Sequence, residues 1–188
     1  MPFRHEPTAP KLDDDSTKKQ CEEIPRYFDD LEELFDARPS LADLEKKKYA
    51  VFYLKARLQA VWKAFPEFSD ASKTYYDFRT AILDSRYTFA DLNQLVVTRY
   101  NLGISTLVDL AHYTRNFRMI SSALIRRGLV SDSGAQRTYL QAFQPSFLAQ
   151  IAFRLQIRHP ERAPDAVDSI DDVFDAAEWI IRSNSHSP

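Results

Sequence analysis

TLVDLAHYTRNFRMISSALIRRG, residues 106–128, decides how the rest of the chain is read. Leu110, Tyr113, Phe117, Ile120 and Leu124 recur at spacings of 3, 4, 3 and 4. That is the period of one buried helix face, not the alternation of a strand. Thr106 with Asp109 marks the start, because a hydroxyl and a carboxylate three residues apart satisfy amides that the first turn leaves unpaired. Gly128 marks the end, where a residue without a Cβ closes a helix in the left-handed conformation.

The same punctuation continues in both directions. Downstream, Ser133 is read as the cap of a helix running through Phe143, Pro145 breaks it, and FLAQIAFRLQI (147–157) resumes. The break turns one helix against the next, so that Tyr139, Leu140, Phe143, Phe147, Leu148, Ile151 and Leu155 share a core. After the Pro-rich stretch 159–168, Ser169 with Asp172 caps IDDVFDAAEWII. Upstream, Thr88 with Asp91 starts FADLNQLVVTRYNL, which Gly103 ends, and Thr74 caps YYDFRTAIL. The longest periodic stretch, LADLEKKKYAVFYLKARLQAVWKAF (41–65), follows a box of Ser40 and Asp43 and stops at Pro66. In it Tyr49, Phe52, Leu54, Leu58, Val61, Trp62 and Phe65 supply bulk for burial. Pro25 opens a short acidic helix with an apolar stripe of Tyr27, Phe28, Leu31, Leu34 and Phe35.

These signals predict an all-α protein of about eight helices in two small lobes, 22–84 and 87–183. Residues 1–21 read as a disordered lead and 184–188 as a disordered tail. With 3 Gly and 44 % hydrophobic residues in 188, the composition suits packed helices better than hairpins or phosphate-cradling loops. Net charge is −2, but basic residues are unevenly spread. All Lys lie at or before Lys73, and residues 105–162 carry eight Arg against Asp109, Asp132 and Glu161. Arg126, Arg127, Arg154 and Arg158 are the residues placed to contact phosphates, since a planar fork of donors suits that group.

Chemistry is hard to place. The single Cys21 allows no intrachain disulfide and no Cys-rich zinc site, and it fits a reducing, cytoplasmic setting. His5, His112, His159 and His186 are scattered. The acid pairs Asp29–Asp30, Glu32–Glu33 and Asp171–Asp172 fall in first helical turns, where the helix dipole favours them. No apolar run approaches the ~18 residues that would cross a bilayer. The expectation is a soluble protein without cofactor, metal or enzymatic activity.

The order of the helices resembles the capsid region of Gag polyproteins from gypsy-type LTR retrotransposons, most closely those in fungal genomes, over about residues 22–181. KKKYAVFYLKARLQAVWKAFPEFSDASKTYYDFRTAIL is similar to the family's Trp-bearing helix followed by an aromatic-rich helix. YTFADLNQLVVTRYNLGISTLVDLAHYTRNF resembles the segment holding the capsid homology region, with Gly103, Leu107, Tyr113 and Phe117 as its core. Tyr139 to Pro145 resembles the family's FLxGL-x-P motif, Ala142 standing where the family often has Gly. DDVFDAAEWII matches the final capsid helix. The resemblance implies a Gag-like capsid protein, active or domesticated, that self-associates into a shell or virus-like particle enclosing RNA. It implies a twofold contact on the helix 133–143, whose outer residues Gln136, Arg137 and Gln141 are the self-association candidates. RNA contact would be weak and non-specific. The alternative is a monomeric helical adaptor that binds partner peptides in an inter-helix groove.

Overall fold

The computed structural model describes residues 1–12, 17–161 and 167–184. Among these the protein is all-α, with ten helices and no strand. The chain divides into two compact units, Met1–Arg86 and Tyr87–Pro188.

The first unit holds α1 (Thr17–Asp36), α2 (Asp43–Phe52), α3 (Ala56–Lys63), α4 (Pro66–Ser69) and α5 (Tyr75–Ser85). Its core is largely aromatic. Tyr27, Phe28, Leu31 and Phe35 of α1 bury against Leu54, Trp62, Tyr75 and Phe78. Phe28 stacks on Trp62 with ring centroids 5.3 Å apart and planes 10° from parallel. Phe78 meets the same indole edge-on at 6.1 Å. Each such pair adds about 0.5–1.5 kcal/mol to simple burial. Burial also drives the Tyr27 and Tyr75 hydroxyls well above the usual phenol range. The Tyr27 hydroxyl keeps its proton and donates it to the Ala50 carbonyl at 2.6 Å. Lys47, 1 % exposed, donates from Nζ to the carbonyls of Glu67 (2.7 Å) and Asp70 (3.0 Å). Those acceptors belong to the end of α4, where a helix leaves carbonyls unpaired.

Several local readings of this unit are corrected. Residues 1–12 are not a disordered lead: Ala9, Pro10 and Leu12 are buried, and α1 begins at Thr17. A polar average over 1–21 hides three side chains that find seats. Residues 13–16 lie outside the described residues. Pro25 sits inside α1 rather than opening a helix; burial of Tyr27, Phe28, Leu31 and Phe35 holds the turns after it despite the missing amide. The stretch 41–65 is two helices, not one, and Ala42 rather than Ser40 is the first N-cap. Val51 and Tyr53 lie about 200° apart on a helix, yet both are buried because the chain turns at Tyr53–Lys55. The same turn leaves Phe52 and Val61 exposed.

The second unit holds α6 (Phe89–Leu102), α7 (Leu107–Arg126), α8 (Asp132–Leu140), α9 (Pro145–Arg158) and α10 (Ile170–Asn184). Helix α7 is central and packs on α6, α8 and α10. Its five expected seam residues are all buried. Thr88, Thr106 and Ser169 cap as read: the amides of Asp91, Asp109 and Asp172 donate to their hydroxyls at 3.0–3.3 Å. The Thr106 hydroxyl donates back to Asp109 and, with Arg99 alongside, holds that carboxyl below its usual range. The cap of α8 is Ser131, not Ser133, and the helix stops at Leu140 rather than Phe143. Residues 185–188 of the expected tail lie outside the described residues, and Asn184 ends α10.

Two glycines carry the positive φ values. Gly128 closes α7, the amide of Leu129 donating back to the Leu124 carbonyl at 2.9 Å. Gly103, at φ 79° and ψ 162°, occupies a region essentially closed to other residues. We expect Gly103→Ala to destabilise the second unit by about 1–3 kcal/mol in chemical denaturation, with its helical spectrum retained.

Candidate self-association surface

Of the residues expected to form the homology-region core, Tyr113 and Phe117 lie in the core of the second unit with Leu107 packed against it. Gly103 turns the chain out of α6, Leu107 opens α7 half-buried, and Tyr113 and Phe117 are fully buried with rings 5.7 Å apart. Tyr113 stacks on Tyr139 of α8 at 5.0 Å and 13°. Its hydroxyl donates to the Tyr139 carbonyl at 2.9 Å. Thr114 gives its one hydroxyl proton to the Leu110 carbonyl at 2.8 Å. The Tyr139 hydroxyl, 2.6 Å away, therefore donates to Thr114 Oγ1. Burial pushes the Tyr139 hydroxyl up to about 12, and Tyr113 further. Phe117 and Phe143 meet the Tyr139 ring edge-on at 5.1 and 5.5 Å. These buried residues position α8 and α9; they are not themselves a surface.

Arg137 of α8 and Gln141, the residue that caps its C-terminal end, are exposed, and Gln136 is half-buried. The four arginines separate. Arg126 and Arg127 are exposed at the C-terminal end of α7, where Arg127 Nη1 donates to the Tyr87 carbonyl at 2.7 Å. Arg154 and Arg158 lie between α9 and α10, which run antiparallel. The Arg154 guanidinium sits 4.0 Å from the centre of the Trp179 ring, a cation–π contact, and Arg158 Nη1 lies 3.4 Å from Asp175. With Glu178 and Arg182, themselves paired at 2.7 Å, they line a hollow of about 370 Å³. The positive charge of Arg158 and Arg182 is thus largely answered within the hollow.

The feature that the sequence reading did not single out is the outer face of α9. Ala149, Ala152, Phe153, Gln156 and Ile157 are exposed at helical spacings of 3, 1, 3 and 1. Phe153 is 65 % exposed and Ile157 56 %. The opposite face, Ile151 and Leu155, is buried against the unit's core. The signal was present: FLAQIAFRLQI is apolar on two faces, whereas a helix covering a core needs one.

Among the described residues, no group of three or more His, Cys, Asp and Glu side chains is placed to hold a metal ion. None of the described helices is long and apolar enough to cross a membrane. No protein-family model, curated protein or solved structure matches the chain.

The Tyr139–Thr114 bond gives a test of how α8 is held. Thr114→Val leaves a buried hydroxyl without an acceptor and should cost about 1–3 kcal/mol. Adding Tyr139→Phe should recover part of that loss in equilibrium unfolding, because the stranded group is then gone.

Proposed function

We propose that this chain is a Gag-like capsid protein that self-associates, with the outer face of α9 as its twofold contact. The observation that carries the reading is the exposed stripe of Ala149, Ala152, Phe153, Gln156 and Ile157. An isologous contact brings a surface against itself, so residues near the axis meet their own kind. A twofold axis through Phe153 with antiparallel α9 helices sets Phe153 beside Phe153, and Ala149 of one copy beside Ile157 of the other. Small meets large, and the stripe itself holds no charge to repel its copy. Growth beyond a dimer requires a second surface. The polar outer residues of α8, Arg137 and Gln141 with half-buried Gln136, would supply that weaker contact. In this reading the assembled shell encloses RNA.

Sedimentation across a concentration series tests the two contacts separately. We expect the parent protein to form concentration-dependent dimers and larger species. Phe153→Glu should sharply weaken dimer formation with an unchanged helical spectrum. Glu at both Arg137 and Gln141 should leave dimers but remove the larger species. A parent protein monomeric at all concentrations and salts would sink the assembly reading in favour of the monomeric adaptor.

RNA contact would fall to the arginines of the second unit, exposed Arg126, Arg127 and Arg158 with half-buried Arg154. Binding of single-stranded RNA should be indifferent to sequence and fall steeply with salt. Glu at Arg126 and Arg127 should weaken it for all sequences alike, as read by fluorescence anisotropy.

A further inference from the structure

Residues 1–12 lie in a crevice of the first unit. Pro7, Ala9 and Lys11 lie beside Glu23, Arg26 and Asp30, while Met1, Pro2 and Glu6 lie beside Leu34, Ala37 and Arg38. The segment therefore runs opposite in direction to α1. From the other wall, the Tyr53 hydroxyl donates to the Pro2 carbonyl at 3.1 Å, and the Arg4 guanidinium donates to the Leu54 carbonyl. Three side chains anchor it, those of Ala9, Pro10 and Leu12, while Phe3 stays 78 % exposed.

Phe3, Arg4, His5, Pro7, Thr8 and Lys11 of the segment are exposed. Hollows of about 400 and 340 Å³, open to solvent, lie between the segment and α1, so most of the segment rests on the surface of the unit and not within its interior. The segment's backbone closes turns of its own, the Glu6 amide donating to the Phe3 carbonyl and the Ala9 amide to Glu6. It is held as a docked peptide is held, by a few buried anchors and two contacts through carbonyls. The charges are complementary: Lys11 shares one hollow with Glu23 and Asp30, and Glu6 shares the other with Arg38.

We propose that this crevice is a docking site for residues 1–12 of a second copy of the chain. The segment of one molecule seats in the first unit of another and links the two by exchange. The crevice already fits this segment, so every contact above is conserved when an identical segment arrives from elsewhere. Which copy's segment occupies the crevice then follows local concentration. The proposal stands on the first unit alone and is independent of the α9 contact.

The test begins with a labelled peptide of residues 1–12, titrated into a chain beginning at Asp13 and into the full chain. The expected result is saturable one-to-one binding to the shortened chain and at least tenfold weaker binding to the full chain. Leu12→Asp in the peptide should abolish it. Equal binding to both chains, or none to a folded shortened chain, overturns the proposal. If the shortened chain loses its helical spectrum, a full chain with a protease site at residues 13–16 is cut after folding. Replacement of the cut segment by labelled peptide supports the proposal; retention against a hundredfold excess, or unfolding on cutting, overturns it. Exchange between copies is read by mixing full and shortened chains that both carry Phe153→Glu, Arg137→Glu and Gln141→Glu, which removes the α9 and α8 contacts. A mixed pair in sedimentation supports seating in trans, and monomers at every concentration up to millimolar overturn it.

Discussion

The stacked pair Tyr113 and Tyr139 is the contact on which the second unit depends. Tyr113 comes from the central helix α7, and its ring and hydroxyl engage both the side chain and the backbone of Tyr139 at the end of α8. That fixes where α8 stops. The chain then turns through Gln141–Gln144, Phe143 meets the Tyr139 ring, and Pro145 opens α9 at a position where its missing amide costs nothing. Everything about α9 follows, including which side buries Ile151 and Leu155 and which side leaves Phe153 outside. A rotation of Tyr139 would unseat the start of α9.

Thr114 makes this arrangement specific as well as stable. An apolar contact between two rings tolerates sliding; a hydroxyl proton that must reach one acceptor does not. The Tyr139 hydroxyl has its acceptor only because Thr114 spends its own proton on Leu110. The first unit uses the same device with different parts, the Tyr27 hydroxyl bonding the Ala50 carbonyl beneath the Phe28–Trp62 stack. In each unit a few large rings supply burial, and a directed bond selects one packing among the similar alternatives that rings allow.

Helix ends were the most legible part of the sequence. Thr74, Thr88, Thr106 and Ser169 form the expected caps, because cap chemistry is local and needs no tertiary partner. The α7 seam was legible for a related reason: five apolar residues at one period leave a single face to bury. Errors arose where tertiary seats overrode local rules. Ser40 and Ser133 are plausible caps that each lie two residues from the true N-cap. Tyr53 and Leu54 interrupt a stretch whose periodicity reads as continuous, because both find places in the core. At the surface, Trp179 and Asp175 lie against Arg154 and Arg158 across a helix pair that no local pattern links. The outer face of α9 was overlooked because a helix apolar on both sides reads simply as buried.

The size of the α9 stripe bears on what kind of assembly it suits. Two large and two small apolar side chains per copy bury on the order of several hundred Å² when paired, an aromatic accounting for about 150–250 Å² of that on its own. Stable specific interfaces bury about 1,200–2,000 Å² in total. In the proposed assembly a contact of this size would make a weak dimer, because loss of translational and rotational freedom consumes much of what burial contributes. Weakness of this kind is a defect in an obligate dimer but not in a lattice. When each subunit is held by several contacts at once, the later ones form at high effective concentration, and contacts that fail singly hold jointly. Individually weak contacts also let a misplaced subunit leave before its neighbours trap it. If the chain assembles as proposed, a small apolar stripe on α9 and a polar face on α8 would suit reversible growth better than one large interface.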